Sequence, residues 1–237
     1  MELSEIELAV REAASTLDHI ADNFAPAALV TAFGPESMVM IDLIAKHELG
    51  IQILSMDTGR LPEATHTLIQ RVREVYGLPI RLLHPDPIEL GEWVERNGNN
   101  AFRDSVDKRL GCCRVRKVQP LKQALAGKNA WVTGLRRKQA ASRHDTQRKE
   151  WDADYGLHKF SPLYEWSDEQ VWTYIRGHGV PYNELHDLGY PSIGCAPCTR
   201  AVKPGEDARA GRWWWEHETP KECGLHFNTT TGVLERA

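Results

Sequence analysis

The first hundred residues alternate short apolar runs with longer amphipathic stretches, and few folds accommodate that order. Residues 4–22 carry Ile6, Val10, Ala13, Leu17 and Ile20 at helical spacing. An apolar run over 27–33 is short enough for a buried strand, and Gly34-Pro35 breaks it before a helical pattern that lasts to about His47. Residues 51–56 and 80–83 are two further buried-strand candidates, with a helix over 62–76 between them and a helical stretch at 87–96 after them. Pro62 suits a first helical turn. Strands that are apolar throughout, separated by helices, predict an α/β fold: an open, mostly parallel sheet with helices on both faces.

Beyond residue 100 the pattern loosens. A helix carries Cys112 and Cys113 and runs to about Leu125, residues 130–135 read as another strand, and 136–149 form a polar, basic loop. Ser167 and Gln170 make a capping box that opens a helix to about Arg176. From Pro181 onward the chain is rich in Gly, Pro and His with little periodicity, so a long irregular C-terminal tail is expected. Stretches of that length without regular structure are uncommon unless they are functional or disordered.

With 237 residues and no repeat or low-complexity linker, the chain suits one large domain or two small ones. A net charge of -4 argues against a general nucleic-acid or membrane-surface binder. No run approaches the length of an apolar membrane span. Met1-Glu2-Leu3-Ser4-Glu5 lacks a signal-peptide core, so a cytoplasmic protein is expected. In a reducing compartment, five cysteines point to metal binding or catalysis rather than to disulfides.

The cysteines divide by spacing. Cys112 and Cys113 are adjacent, and Cys195 and Cys198 form a C-x-x-C within Gly194-Cys195-Ala196-Pro197-Cys198. Two close pairs suit a metal centre. Zinc sites usually use C-x(2–4)-C knuckles, which adjacent cysteines fit poorly. An iron–sulfur cubane offers a separate iron to each thiolate. Two unrelated pairs of buried thiols are the plain alternative. Cys223 stands apart, near Lys221 and His226 and downstream of Arg209 and Arg212. Cations hold a thiol as thiolate, the form a nucleophile needs; otherwise Cys223 is a bystander. His226 is either an orienting or binding group or an exposed tail histidine. Trp213-Trp214-Trp215 reads as packing.

Three polar loops follow predicted strands. Thr31-Ala32-Phe33-Gly34-Pro35-Glu36-Ser37 joins a strand to a helix, where backbone amides favour an anion and Ser37 adds a hydroxyl. Asp57-Thr58-Gly59-Arg60 leaves the same edge of the sheet, the edge where α/β ligands bind. Gly134-Leu135-Arg136-Arg137 opens the basic loop that also holds Lys138, Arg143, Arg148 and Lys149. Arginine forks grip phosphate or sulfate, with Arg136 and Arg137 as first candidates; a charge run is otherwise a solvated surface.

Together these segments resemble the assimilatory adenylylsulfate and phosphoadenylylsulfate reductases over nearly the whole chain. The loop at 31–37 is similar to that family's phosphate loop, Met56-Asp57-Thr58-Gly59-Arg60 to its nucleotide loop, and Gly134-Leu135-Arg136-Arg137 to its arginine motif. Glu222-Cys223-Gly224-Leu225-His226 resembles its hallmark C-terminal sequence, the most specific of these segments. The four paired cysteines resemble the bacterial branch that carries a [4Fe-4S] cluster.

The resemblance implies an adenine-nucleotide α-hydrolase-like (ATP-pyrophosphatase-like) fold and a single reductase domain over 1–237. Residues 1–198 would bind nucleotide and cluster, and 199–237 would be the tail carrying catalytic Cys223. It implies one [4Fe-4S] cluster on Cys112, Cys113, Cys195 and Cys198. Substrate binding would fall to Gly34, Ser37, Asp57, Thr58, Gly59, Lys117, Arg136, Arg137, Arg209, Arg212 and His226. Lys117, one helical turn after Cys113, would bridge cluster and substrate sulfate. The implied reaction takes adenylylsulfate to sulfite and AMP through an S-sulfonated Cys223. No fused thioredoxin-like domain is expected, so reduced thioredoxin or glutaredoxin would be a separate donor. The same chemistry on 3′-phosphoadenylylsulfate is the alternative, and a homo-oligomer is left open. A tRNA sulfur transferase is disfavoured by Ala32-Phe33-Gly34-Pro35-Glu36-Ser37, where those relatives keep a Ser-Gly-Gly-x-Asp-Ser loop. A cluster-binding redox regulator would leave the loops and Cys223 idle.

Overall fold

The computed structural model describes residues 4–139 and 143–216. Helix α1 (Glu5–Asn23) starts at Ser4, whose hydroxyl accepts from the Glu7 amide while the Glu7 carboxylate accepts from the Ser4 amide at 2.8 Å. Then follow β1 (Ala27–Thr31), α2 (Pro35–Lys46), β2 (Ile51–Met56), α3 (Glu63–Tyr76), β3 (Ile80–Leu83) and α4 (Pro87–Asn97). These agree with the alternation read from the sequence. So does the helical region α5 (Val106–Cys113), a wide π turn (Arg114–Val118) and α6 (Gln119–Leu125). Pro120 explains the widening: it has no amide to donate, its ring crowds the preceding turn, and the Gln119 amide reaches back to Arg114 instead. The remaining elements are β4 (Ala130–Val132), β5 (Lys149–Asp152), β6 (Leu157–Phe160) and α7 (Asp168–His178).

The six strands lie in the order β3-β2-β1-β4-β6-β5. All neighbours are parallel except β5 and β6, which form an antiparallel hairpin at the edge. Two expectations need correction. The strand expected at 130–135 ends at Val132, although the Thr133 amide still donates to Phe160. The basic loop expected at 136–149 also runs into β5, and neither β5 nor β6 was legible. Lys159 puts a charge at a buried strand position, stabilised there by Glu150 at 2.8 Å, which masks the apolar pattern.

β1 shows why the sheet needs cover on both sides. Ala27 and Leu29 face a core built with α1, α2, α3 and α7, whereas Ala28 and Val30 face Leu121 and Leu125 of α6. A third, smaller cluster gathers Trp93, Phe102, Cys112 and Val115, with Cys198 and Trp215 packed against it. Buried Asp42 fixes α2: its carboxylate accepts from Tyr174 at 2.6 Å, from Tyr76 at 3.0 Å and from Lys46 at 2.7 Å. Burial beside that carboxylate raises both phenol pKa values. β2 lies on one side of β1 and β4 on the other, so the chain reverses direction at β1. The crevice beyond the carboxyl ends of β1 and β4 is where such a sheet takes ligands. Among the described residues no helix is long and apolar enough to cross a membrane.

Candidate active site

A cavity of about 700 Å³ opens at that crevice, a size suited to a nucleotide. Its floor is the turn from β1 to α2. The Phe33 amide donates to Thr31 Oγ1 at 2.7 Å, and Phe33 takes a left-handed φ of 57° to swing the chain into the helix. Gly34 caps α2 without a side-chain bond, and Pro35 fills the first turn. The helix therefore offers uncapped amides and the positive end of its dipole to the cavity. Gly34 and buried Ser37 both line it.

The β2 loop divides at Thr58. Thr58 lines the cavity, but Asp57 and Gly59 do not. The Asp57 carboxylate is turned inward, accepting from the Gly59 amide at 2.9 Å with His84 at 3.8 Å, and so shapes the loop. Thr58 is fully buried and connects two regions. Its hydroxyl lies 3.3 Å from Cys195 Sγ and its carbonyl accepts from Arg116 Nη1 at 2.7 Å.

The expected arginine pair is placed unevenly. Arg136 reaches the cavity wall, but its guanidinium is engaged by protein. Nε and Nη2 donate to Glu36 at 2.9 and 2.7 Å, Nη1 donates to the Trp166 carbonyl, and Nη2 also pairs with Asp168. It braces the start of α2 against the start of α7. Arg137 points away from the cavity, donating to the Thr146 carbonyl at 2.8 Å and stacking 4.8 Å from the Tyr164 ring centre. Five other cations line the cavity: Lys117, Arg143, Arg176, Arg209 and Arg212. Lys117, Arg209 and Arg212 were expected there; Arg176, within an ordinary helical pattern, carried no signal.

Arg212 is buried. It donates to the Cys198 carbonyl at 3.3 Å and to Ser192 Oγ at 3.4 Å, and it lies 4.6 Å from the centre of the Trp213 ring. Gly194 makes this placement feasible, because a β-carbon there would sit 2.6 Å from Arg212 Cζ.

Behind this wall Cys198 packs against the cluster that holds Cys112, so the two cysteine pairs are neighbours. Cys112 and Cys113 end α5, and Cys195 and Cys198 flank a tight turn whose Ala196 amide donates to the Arg60 carbonyl at 2.8 Å. None of the four is in a disulfide; three are buried and Cys198 is half-buried. Burial raises the Cys112 thiol, with Cys195 adding to the rise against Arg116 and Arg60. Burial, Cys195 and Cys113 push Cys198 up to about 12. Burial opposes ionisation of Cys195 too, but Lys117, the Thr58 hydroxyl, Arg212 and Arg116 outweigh it and lower its pKa. Arg60 was read only as part of the nucleotide loop, and Arg116 was missed in the sequence, although it lies four residues after Cys112.

The donor set suits a cluster. A cubane takes one thiolate per iron. Two buried donors, Arg116 Nε and Trp213 Nε1, lack an acceptor among the described residues. Arg116 acts on Cys112, and the Trp213 amide donates to the Cys198 carbonyl. A negatively charged, sulfur-rich group would supply acceptors for both. Cys223 and His226 lie outside the described residues.

The strand order, with a nucleotide-sized cavity where it reverses, places the protein among the adenine-nucleotide α-hydrolase-like α/β folds. The chain belongs to the family of the phosphoadenosine phosphosulfate reductase domain, whose model matches residues 26–201. It is 50% identical to an adenosine 5′-phosphosulfate reductase of Allochromatium vinosum, over 94% of this chain and 88% of that protein. It is 43% identical to one of Burkholderia cepacia, over 98% of this chain and 93% of that protein. A crystal structure of a phosphoadenylyl-sulfate reductase from Candida auris, in complex with phosphate, superposes with a TM-score of 0.69 at 28% identity. That match covers 85% of this chain and 99% of the Candida chain.

Proposed function

We propose that this protein reduces adenylylsulfate to sulfite and AMP in sulfate assimilation. One observation carries the reading beyond family membership: Lys117 lines the nucleotide-sized cavity and also acts electrostatically on Cys195 and Cys198. With the hydroxyl of cavity-lining Thr58 lying 3.3 Å from Cys195 Sγ, this supports reading the cavity and the four thiols as one site. The adenylyl group would lie at the carboxyl ends of β1 and β4. Its anionic end would meet the amides at Gly34 and Ser37, with Lys117, Arg209 and Arg212 neutralising charge.

The chemistry proceeds in two steps. The Cys223 thiolate attacks the sulfur of adenylylsulfate; the S–O bond to the phosphate breaks, AMP leaves, and Cys223 carries an S-sulfonate. One thiol of reduced thioredoxin then attacks Cys223 Sγ and displaces sulfite. Its second thiol resolves the mixed disulfide, leaving oxidised thioredoxin and free Cys223. Two anions meet in the first step, so preorganised cations lower its barrier. Cys112, Cys113, Cys195 and Cys198 would hold one [4Fe-4S] cluster, which supplies structure and electrostatic polarisation at the cavity wall. Residues 1–237 would act as one reductase domain, in the cytoplasm, where thiol donors stay reduced.

The test is turnover of anaerobically purified protein with reduced thioredoxin and adenylylsulfate. Sulfite and AMP in equal amounts support the reading. No sulfite from adenylylsulfate, with product from the 3′-phosphorylated nucleotide only, would overturn the substrate assignment.

A further inference from the structure

The helical region that carries Cys112 and Cys113 contains an irregular turn to which the reaction as written gives no task. Between α5 and α6, residues Arg114–Val118 form a π turn, and the Gln119 amide donates to the Arg114 carbonyl, five residues back. Such turns are rare and often sit at functional sites. This one carries a local cost: Gln119 Oε1 is buried without a partner among the described residues.

Three consecutive side chains of the turn have separate inward tasks. Buried Val115 belongs to the cluster around Trp93 and Phe102. Buried Arg116 donates from Nη1 to the Thr58 carbonyl at 2.7 Å. Lys117 lines the cavity. Beyond the turn, Leu121 and Leu125 pack with Ala28 and Val30 in a different cluster. A π turn is one extra residue inserted into a helix, and each residue is worth about 100° of rotation. Where the extra residue sits therefore decides which way the side chains around it face. A shift of one step toward α6 would return residues 114–117 to ordinary helical register with α5 and turn Lys117 away from its present direction. Pro120 blocks that shift. An α-type bond there needs an amide at 120 to donate to the Arg116 carbonyl; buried Pro120 has none, and its ring would clash with that carbonyl.

We propose that Pro120 is a positioning residue for the reaction: it pins the π turn at 114–118 and so aims Lys117 into the cavity while Arg116 stays on Thr58. The proposal rests on the role given above to Lys117, a cation that neutralises the anionic end of the substrate. Pro120 itself touches no substrate; it acts through the register of the helix.

Pro120→Ala in the anaerobic full-length protein tests this. The substitution supplies the missing amide, and alanine is the better helix former, so the melting temperature should hold or rise. Bound iron should be unchanged. The rate of SO3 transfer to Cys223, followed by quenched intact-mass analysis, should nonetheless fall at least about tenfold, because a small misplacement of a charge is costly to the chemistry. On a Lys117→Ala background the same substitution should change that rate by less than about twofold, since both act through one side chain. In Cys223→Ser protein, where no transfer occurs, Pro120→Ala should weaken adenylylsulfate binding but leave AMP, which lacks the sulfate, within about twofold of its parent value. Transfer at the wild-type rate would overturn the proposal, as would equal slowing with and without Lys117. Loss of iron or a lower melting temperature would also overturn it, because proline would then be supporting the fold rather than aiming the lysine. If wild-type protein transfers no SO3, the reading of the reaction fails and the two affinities decide alone: adenylylsulfate bound by Pro120→Ala as tightly as by its parent overturns the proposal.

Discussion

Replacing Gly194 with alanine would separate packing from chemistry at the cavity wall. The added carbon would lie 2.6 Å from Arg212 Cζ and closer still to its Nη2, so the guanidinium has to move. Overpacking on this scale costs about 1–3 kcal/mol. For a chain of this length that is a melting-temperature loss of roughly 2–12 °C. The catalytic effect should be larger. Arg212 is held by the Cys198 carbonyl, Ser192 and the Trp213 ring, with its charge at the cavity and beside the cysteines. Withdrawing one preorganised charge from a transition state of this kind costs about 10²–10³ in turnover, or roughly 3–4 kcal/mol of barrier. The assay pairs calorimetric melting with sulfite release at saturating thioredoxin. Gly177→Ala is the control: nothing lies within 4 Å of an added carbon there, and α7 should gain up to about 1 kcal/mol of stability. Turnover of Gly194→Ala within twofold of wild type would refute a role for Arg212 in the reaction.

Two further outcomes follow from the same geometry. Asp42→Ala removes the acceptor shared by Tyr76, Tyr174 and half-exposed Lys46 and should destabilise the fold by about 2–4 kcal/mol in denaturant unfolding, chiefly from two phenols left without their acceptor; a loss below about 1 kcal/mol would show that α2 is held by apolar packing alone. Cys198→Ala should abolish bound iron and sulfide together and reduce turnover sharply; full turnover without iron would end the electrostatic role assigned to the cluster.

The parts of the fold that could be read in the sequence were those where one physical demand dominates. β1 and β2 are buried on both faces, so their apolar runs stand out. Ser167 and Gln170 form the capping box that their spacing indicates. β5 and β6 stayed hidden because Lys159 owes its buried place to Glu150, a partner that strand periodicity does not reveal. The cavity was legible as loops at one sheet edge, but side-chain partners decide how each loop residue is used. Asp57 spends its carboxylate on the Gly59 amide, and Arg136 spends its fork on Glu36 and Asp168. Arg143 and Arg176, from a loop and an ordinary helix, line the cavity beside Arg136. The irregular segment after Pro181 has no periodicity to read, yet a bridge between Thr199 and Arg212 helps set Arg212 against the C-x-x-C turn.

Cys223 is the proposed acceptor of the sulfonate. The most direct measurement is anaerobic intact-mass analysis of reduced protein mixed with adenylylsulfate and no thioredoxin. The expected result is a covalent gain of one SO3 group, absent in Cys223→Ser and discharged as sulfite by reduced thioredoxin. Wild-type protein with bound nucleotide and intact cluster but no such adduct would contradict it.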